Sequence, residues 1–309
     1  MTEPGPDRPR SSASPIALAL ALAASPTSVR AQLPAAFEDA WRDVISEHRG
    51  TLEADGVVGG SVALVHDGRV IAVDHFGMAD LERGRAVDDA TIFHWASITK
   101  TFTGVALMQL VERGLIRLDD PVVEHVPELA AVHDPFGPVE AITLRHLLSH
   151  SAGFRAPTWP WGGDEPWHPF EPTEWSQLVA MMPYTRVAFD PGTEYAYSNP
   201  GIIFVARALE RVTGDVYEAY VDKNLFRPLG LTRSYFDATP WHLREHRSDN
   251  YRVVAGRPVS DGPEFDTGIT TSNGGLNAPI GDLARWVAFL LEVGGPAGRD
   301  GPGPDLPRS

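Results

Sequence analysis

The chain has 309 residues, 43% of them hydrophobic and 22% charged, with a formal charge of −15. These proportions are those of a globular protein with one large domain or two small ones. The acidity removes the basic footprint of a nucleic-acid binder, and an anionic membrane surface would repel it. There is no cysteine, which excludes disulfides, thiolate nucleophiles, iron–sulfur clusters and cysteine-type zinc sites.

Residues 1–31 read as an export signal. Arg8 and Arg10 precede an apolar run, Ile16 to Ala24, and the small-residue pattern Val29-Arg30-Ala31 follows as a cleavage site. The expected location is therefore secreted or periplasmic. The run is too short to span a bilayer, and no later run reaches that length, so no membrane span is expected.

The next elements follow from periodicity. Residues 35–55 place Phe37, Trp41, Val44 and Ile45 at helical spacing. Val58–His66 and Arg69–Phe76 are rich in Val and Ile and flank Asp67-Gly68, a strong two-residue hairpin turn. Residues 98–114 are apolar on most faces, which predicts a buried helix ending at Gly114. Helical patterns recur at 143–150, 174–182, 200–213, 216–224 and 279–293. Residues 155–175 hold five prolines and four tryptophans and read as an ordered loop, a possible aromatic rim for an acyl group or simply a loop held onto the domain. The expected division is a signal at 1–31, one domain over 32–293, and a disordered Gly/Pro-rich tail over 294–309.

Two short motifs carry chemistry. In Ser97-Ile98-Thr99-Lys100, at the start of the predicted buried helix, Ser97 and Lys100 share a face, three residues apart. The serine sits at the positive end of the helix dipole. A serine hydroxyl needs a neighbouring base, and lysine can serve because burial lowers its pKa, whereas arginine cannot. All but two of the 26 basic side chains are arginine, and Lys100 is one of the two lysines; the other is Lys223. The second motif is Tyr197-Ser198-Asn199. A tyrosine oxygen near an ammonium becomes a better proton acceptor, and an asparagine amide can orient both a lysine and a substrate carbonyl. The same triplet also fits a turn in which Asn199 caps the next helix and Pro200 opens it. In this composition each motif is expected by chance only ~0.1 times.

With these residues in hand, Phe93-His94-Trp95-Ala96-Ser97-Ile98-Thr99-Lys100 resembles the nucleophile segment of the serine β-lactamase and penicillin-binding-protein superfamily. The resemblance is to the class C β-lactamase-like branch, which includes esterases and D-aminopeptidases, because Tyr197-Ser198-Asn199 stands second. It continues through residues 115–122, 142–153 and 225–231 and through Gly274-Gly275-Leu276, covering roughly 36–293. It implies an α+β, β-lactamase/transpeptidase-like fold, an antiparallel sheet flanked by helices with a helical subdomain. It also implies roles. Ser97 is the acylated nucleophile, with its backbone N–H half of the oxyanion hole. Lys100 is its hydrogen-bonded partner, Tyr197 the general base and acid, and Asn199 the residue that orients lysine and substrate. The expected reaction is hydrolysis of an amide or ester in a small-molecule or peptide substrate (β-lactam, D-amino peptide or carboxylic ester), without a cofactor.

The chain departs from that family in its third motif, Lys- or His-x-Gly. After Tyr197 the candidates are Lys223, His242 and His246, and none is followed by x-Gly. The expectation is a chain shortened or frame-shifted relative to a longer enzyme, lacking the last strands and helix, with the 58–76 hairpin left marginal and open at its edge. Two alternatives stand beside the hydrolase: a catalytically inert family member or binding module of the same fold, and a metal hydrolase using His146 and His150 at i, i+4 spacing. No G-x-S-x-G surrounds any serine and no phosphate-binding glycine loop occurs.

Overall fold

The computed structural model describes residues 35–154, 172–263 and 267–294. The export signal, most of the Trp/Pro loop and the Gly/Pro-rich tail lie outside the described residues.

The helix expected at the start is α1, Ala35–Ala54. It leads into the hairpin of β1 (Gly59–His66) and β2 (Arg69–Asp80). Asp67 and Gly68 both have positive φ, at 48° and 67°. That is the backbone a primed hairpin turn requires, and Asp-Gly supplies it at low cost. A short strand β3 (Arg85–Ala86) pairs with the far side of β2.

The nucleophile segment then forms β4 (Ile92–Ala96) and feeds directly into α2 (Thr99–Glu112). Gly114, at φ 69°, takes the left-handed position beyond the end of α2, as its place in the sequence suggested. Helices α3 (Val122–His125), α4 (Leu144–Leu148), α5 (Trp175–Met181), α6 (Asn199–Thr213) and α7 (Tyr217–Val221) form the helical part. The chain after α7 widens into a π-helical turn over Asp222–Phe226. Strand β5 (Tyr235–Phe236), the hairpin β6 (Asn250–Val254) and β7 (Arg257–Gly262), a one-turn helix α8 (Thr271–Gly274), strand β8 (Leu276–Pro279) and helix α9 (Ile280–Gly294) complete the described chain.

All named strand pairs are antiparallel, and they form three small sheets: β1-β2-β3, β4-β8-β5 and β6-β7. This is the α+β arrangement, antiparallel strands flanked by helices, that the resemblance implies. The sequence reading missed the strands after the first hairpin. β8 is four residues long and buried throughout, and β4 grades from buried Ile92 to exposed Ala96, so neither shows the alternating pattern that marks a half-exposed strand. The expectation of an unsupported hairpin also needs correction. β3 adds two residues to its sheet and α9 packs against β1 and β2, so the hairpin is not isolated; β1 still lies at the edge of that sheet among the described residues, the open edge that was expected. A hairpin with a third strand and a helix over its face is no longer the marginal isolated unit.

The main core surrounds α2. Phe102, Ala106, Leu107 and Leu110 are fully buried there, which explains why this helix reads as apolar on most faces. Trp286 of α9 stacks on Phe102 with ring centroids 3.8 Å apart and planes 14° from parallel. Its indole N–H donates to Thr101 Oγ1 at 2.9 Å. Phe226, from the π-helical turn, meets Phe102 edge-on at 5.6 Å. The catalytic-motif helix is therefore wedged between the last helix and the helical part. Trp286→Ala is expected to remove this wedge and lower stability by about 3–5 kcal/mol. Urea unfolding should show a lower midpoint with an unchanged slope.

Candidate active site

Ser97 lies in the turn between β4 and α2, and its residue is exposed. Two features build this turn. Ala96 has φ 42°, a left-handed conformation uncommon for a residue with a side chain. Thr99, fully buried, holds it there. Its hydroxyl donates to the Ala96 carbonyl at 2.6 Å and accepts from the Leu276 N–H of β8 at 3.0 Å. The β4–β8 register also shifts between His94 and Ala96. The irregularity re-aims the chain at the point where Ser97 leaves the sheet. Thr99 was passed over in the sequence as the unremarkable middle of Ser-x-x-Lys.

Lys100, in the first turn of α2, reaches back toward Ser97. Its Nζ donates to Ser97 Oγ at 3.1 Å and to the main-chain carbonyl of Asn273 at 2.8 Å. It lies 4.8 Å from the centre of the Tyr197 ring. Burial depresses the Lys100 pKa below its ordinary range, and a hydrogen bond with Tyr197 partly opposes that effect. Ser97, Lys100 and Tyr197, almost a hundred residues apart in sequence, therefore meet around one ammonium.

Tyr197 is carried by the segment before α6, and His150 holds that segment. His150 has φ 55°, its carbonyl accepts from Ala196 N–H at 2.9 Å, and its Nδ1 accepts from Ser198 N–H at 3.2 Å. Its ring lies 4.7 Å from that of Tyr197. Accepting at Nδ1 requires the form with that nitrogen unprotonated. Burial, and then the charge of Lys100, lowers the His150 pKa and favours the neutral ring.

The sequence offered Asn199 as a helix cap. The cap is instead Ser198, whose side chain accepts from Gly201 N–H at 3.1 Å; Asn199 is the first residue of α6 and Pro200 the second. A serine oxygen serves as well as an asparagine in that position, so composition alone could not separate them. Asn199 is half-buried, and its carbonyl accepts from Asn273 Nδ2 at 3.3 Å. Asn273 thus touches both motifs, through its side chain to Asn199 and through its carbonyl to Lys100. Sequence reasoning missed it, because a main-chain carbonyl has no residue signature.

His146 and His150 do different work. His146 Nδ1 accepts from Thr143 N–H at 3.3 Å in a reciprocal cap of α4, while His150 braces the Tyr197 segment. Among the described residues no group of three His, Cys, Asp or Glu is arranged to hold a metal.

The buried ammonium carries a stability consequence. Because the Lys100 pKa is lower in the folded state, the unfolded chain binds the proton more tightly between that value and the ordinary one. Stability therefore falls as pH drops through that window and stays lower at neutral pH. Lys100→Met is expected to raise the melting temperature at pH 7. The gain should vanish above pH 10.5, the ordinary lysine value, where both states are neutral. Thermal melts at the two pH values check this.

Comparison with known proteins agrees with the geometry. The family model described as Beta-lactamase matches residues 41–304. Among curated proteins, "Protein flp" of Staphylococcus aureus (strain COL) is 26% identical over 249 residues, covering 81% of this chain and 48% of that protein. A "Beta-lactamase" of Escherichia coli (strain K12) is 28% identical over 241 residues, covering 78% and 58%. The chain thus spans about half the length of the curated relatives it matches. Among solved structures, an octameric penicillin-binding protein homologue from Pyrococcus abyssi aligns with a TM-score of 0.69 and 30% identity, over 84% of this chain and 56% of the other. A class C beta-lactamase aligns at a TM-score of 0.64 and 22% identity, over 77% and 61%, which bears on the fold alone. By the match over residues 41–304, the chain belongs to the beta-lactamase family, within the superfamily of serine β-lactamases and penicillin-binding proteins.

Proposed function

We propose that this chain is a serine hydrolase that works through an acyl-enzyme. The carrying observation is the bond from Lys100 Nζ to Ser97 Oγ at 3.1 Å, made by a lysine that also touches Tyr197.

In this reading Ser97 Oγ attacks the carbonyl carbon of an amide or ester. Its proton passes to the Lys100–Tyr197 pair, and the Ser97 backbone N–H stabilises the developing oxyanion. The carbonyl re-forms, the carbon–nitrogen or carbon–oxygen bond breaks, and the leaving group takes the proton. Water then attacks the Ser97 ester, giving up its proton to the same pair; the bond from the acyl carbon to Ser97 Oγ breaks, Oγ takes that proton, and the acid product leaves. Burial lowers the Lys100 pKa toward a range where it can accept a proton, which an arginine there would not do. Asn199 would orient the lysine and the substrate carbonyl. The names of two relatives, a beta-lactamase and a penicillin-binding protein homologue, point to β-lactams, and the family resemblance adds D-amino peptides and carboxylic esters as substrates. Residues 1–31 read as an export signal, and on that reading the protein is secreted or periplasmic.

A second reading rests on the absence of Lys- or His-x-Gly after Tyr197. If no second oxyanion donor takes its place, the rate loss is about 10²–10³-fold or more. The chain would then be an inert family member or a binding module.

Ester turnover separates the two. A fluorophosphonate or penicillin-type probe should label Ser97, and Ser97→Ala should abolish both labelling and p-nitrophenyl acetate hydrolysis. Tyr197→Phe should slow turnover by about 10²–10⁴-fold. Lys100→Arg should not restore the rate lost in Lys100→Ala, and a chelator should leave the rate unchanged. Labelling that persists in Ser97→Ala defeats the hydrolase assignment, and labelling absent from the wild type favours the inert reading.

A further inference from the structure

A clamp remote from both motifs holds the carbonyl on which Lys100 rests. Asp237 follows β5 at φ 54°. One carboxylate oxygen accepts from the Thr267 N–H at 3.3 Å and from the Thr267 hydroxyl, and the other accepts from the Thr271 hydroxyl. Its main chain grips the far end of the same segment. Asp237 N–H donates to Gly275 O at 3.1 Å, and its carbonyl accepts from Asn277 Nδ2 at 3.4 Å.

The fit around the carboxylate is close. A Cβ placed on Gly275 would lie 2.9 Å from Asp237 Oδ1, 2.9 Å from Thr267 Oγ1 and 3.0 Å from Thr271 Cα. Only glycine lets the strand entry pass so near the carboxylate. Between the two gripped ends, Ser272 O accepts from Thr103 Oγ1 at 2.6 Å and Asn273 O accepts from Lys100 Nζ at 2.8 Å. Both Thr103 and Lys100 are residues of α2. The segment 267–275 is thus tied to Asp237 on one side and hung on the catalytic-motif helix on the other.

We propose that Asp237 is a positioning residue for the reaction: by fixing residues 267–275 through Thr267, Thr271 and Gly275, it keeps the Asn273 carbonyl on the Lys100 amine and so aims that amine at Ser97 Oγ. The proposal rests on the acyl-enzyme reading for its effect on rate, but the clamp itself is observable without catalysis. Release of the clamp frees the segment that covers Lys100. Water then reaches the amine, which lies 4.8 Å from the centre of the Tyr197 ring.

The chain has two lysines, so ε-¹³C-lysine labelling gives two signals, with Lys223 as an internal control. Lys223 pairs with Asp215 at 3.6 Å in a different part of the fold. In Asp237→Asn and in Thr271→Val, the Lys100 titration should move upward toward the ordinary lysine value while that of Lys223 stays put. The rate of Ser97 labelling by a fluorophosphonate should fall by about ten- to a hundredfold, the scale expected of an angstrom-sized misplacement. The same changes made in a Lys100→Ala background should have no further effect on labelling. Thr271→Val carries the test if Asp237→Asn does not fold. An unmoved Lys100 titration, or an equal rate loss with and without Lys100, overturns the proposal. A wild type that never labels, but whose Lys100 titration still responds to Asp237, refutes the acyl-enzyme reading and leaves the clamp standing.

Discussion

The site is organised around one ammonium held largely out of water. A lysine at that position is unfavourable on burial alone, and its pKa falls accordingly. It is held there by acceptors from three separate parts of the chain: the Ser97 hydroxyl, the Tyr197 segment and the Asn273 carbonyl. An ammonium has three protons to donate, so the arrangement uses its full capacity. The same burial that weakens the fold lowers the pKa of the amine and eases its loss of a proton. This is the usual tension between stability and a prepared reactive group.

The surrounding structure makes that arrangement rigid. Thr99 locks the strained Ala96 conformation and ties α2 to β8. His150 braces the Tyr197 segment from below, and Ser198 caps α6 immediately after it. Trp286 presses on Phe102 and holds α2 against the last helix. Each of these contacts acts on the angle or position of a site residue without itself touching Ser97 Oγ. Such supporting groups are what keep a constellation within the tolerance that chemistry requires.

The separation of α2 from the sheets also has an electrostatic side. Ser97 stands just before the first turn of α2, at the positive end of the helix dipole. A developing oxyanion or a serine alkoxide is favoured there, and the nearby ammonium adds to that effect.

Much of this was legible in one dimension. Asp67-Gly68 marked its turn because only residues tolerant of positive φ fit there, and α1, α2 and α6 announced themselves by period. Ser97 and Lys100 were legible because helical spacing alone puts them on one face, and because a lysine stands out in an arginine-rich chain. The short strands β4 and β8 were not, since burial on both faces erases the alternation in β8 and five residues graded from buried to exposed show none in β4. Two further features belong to the folded chain alone: the carbonyl of Asn273, and the clamp of Asp237 on residues 267–275. They depend on long-range packing and on main-chain atoms, which every residue possesses and which therefore leave no trace in the order of side chains.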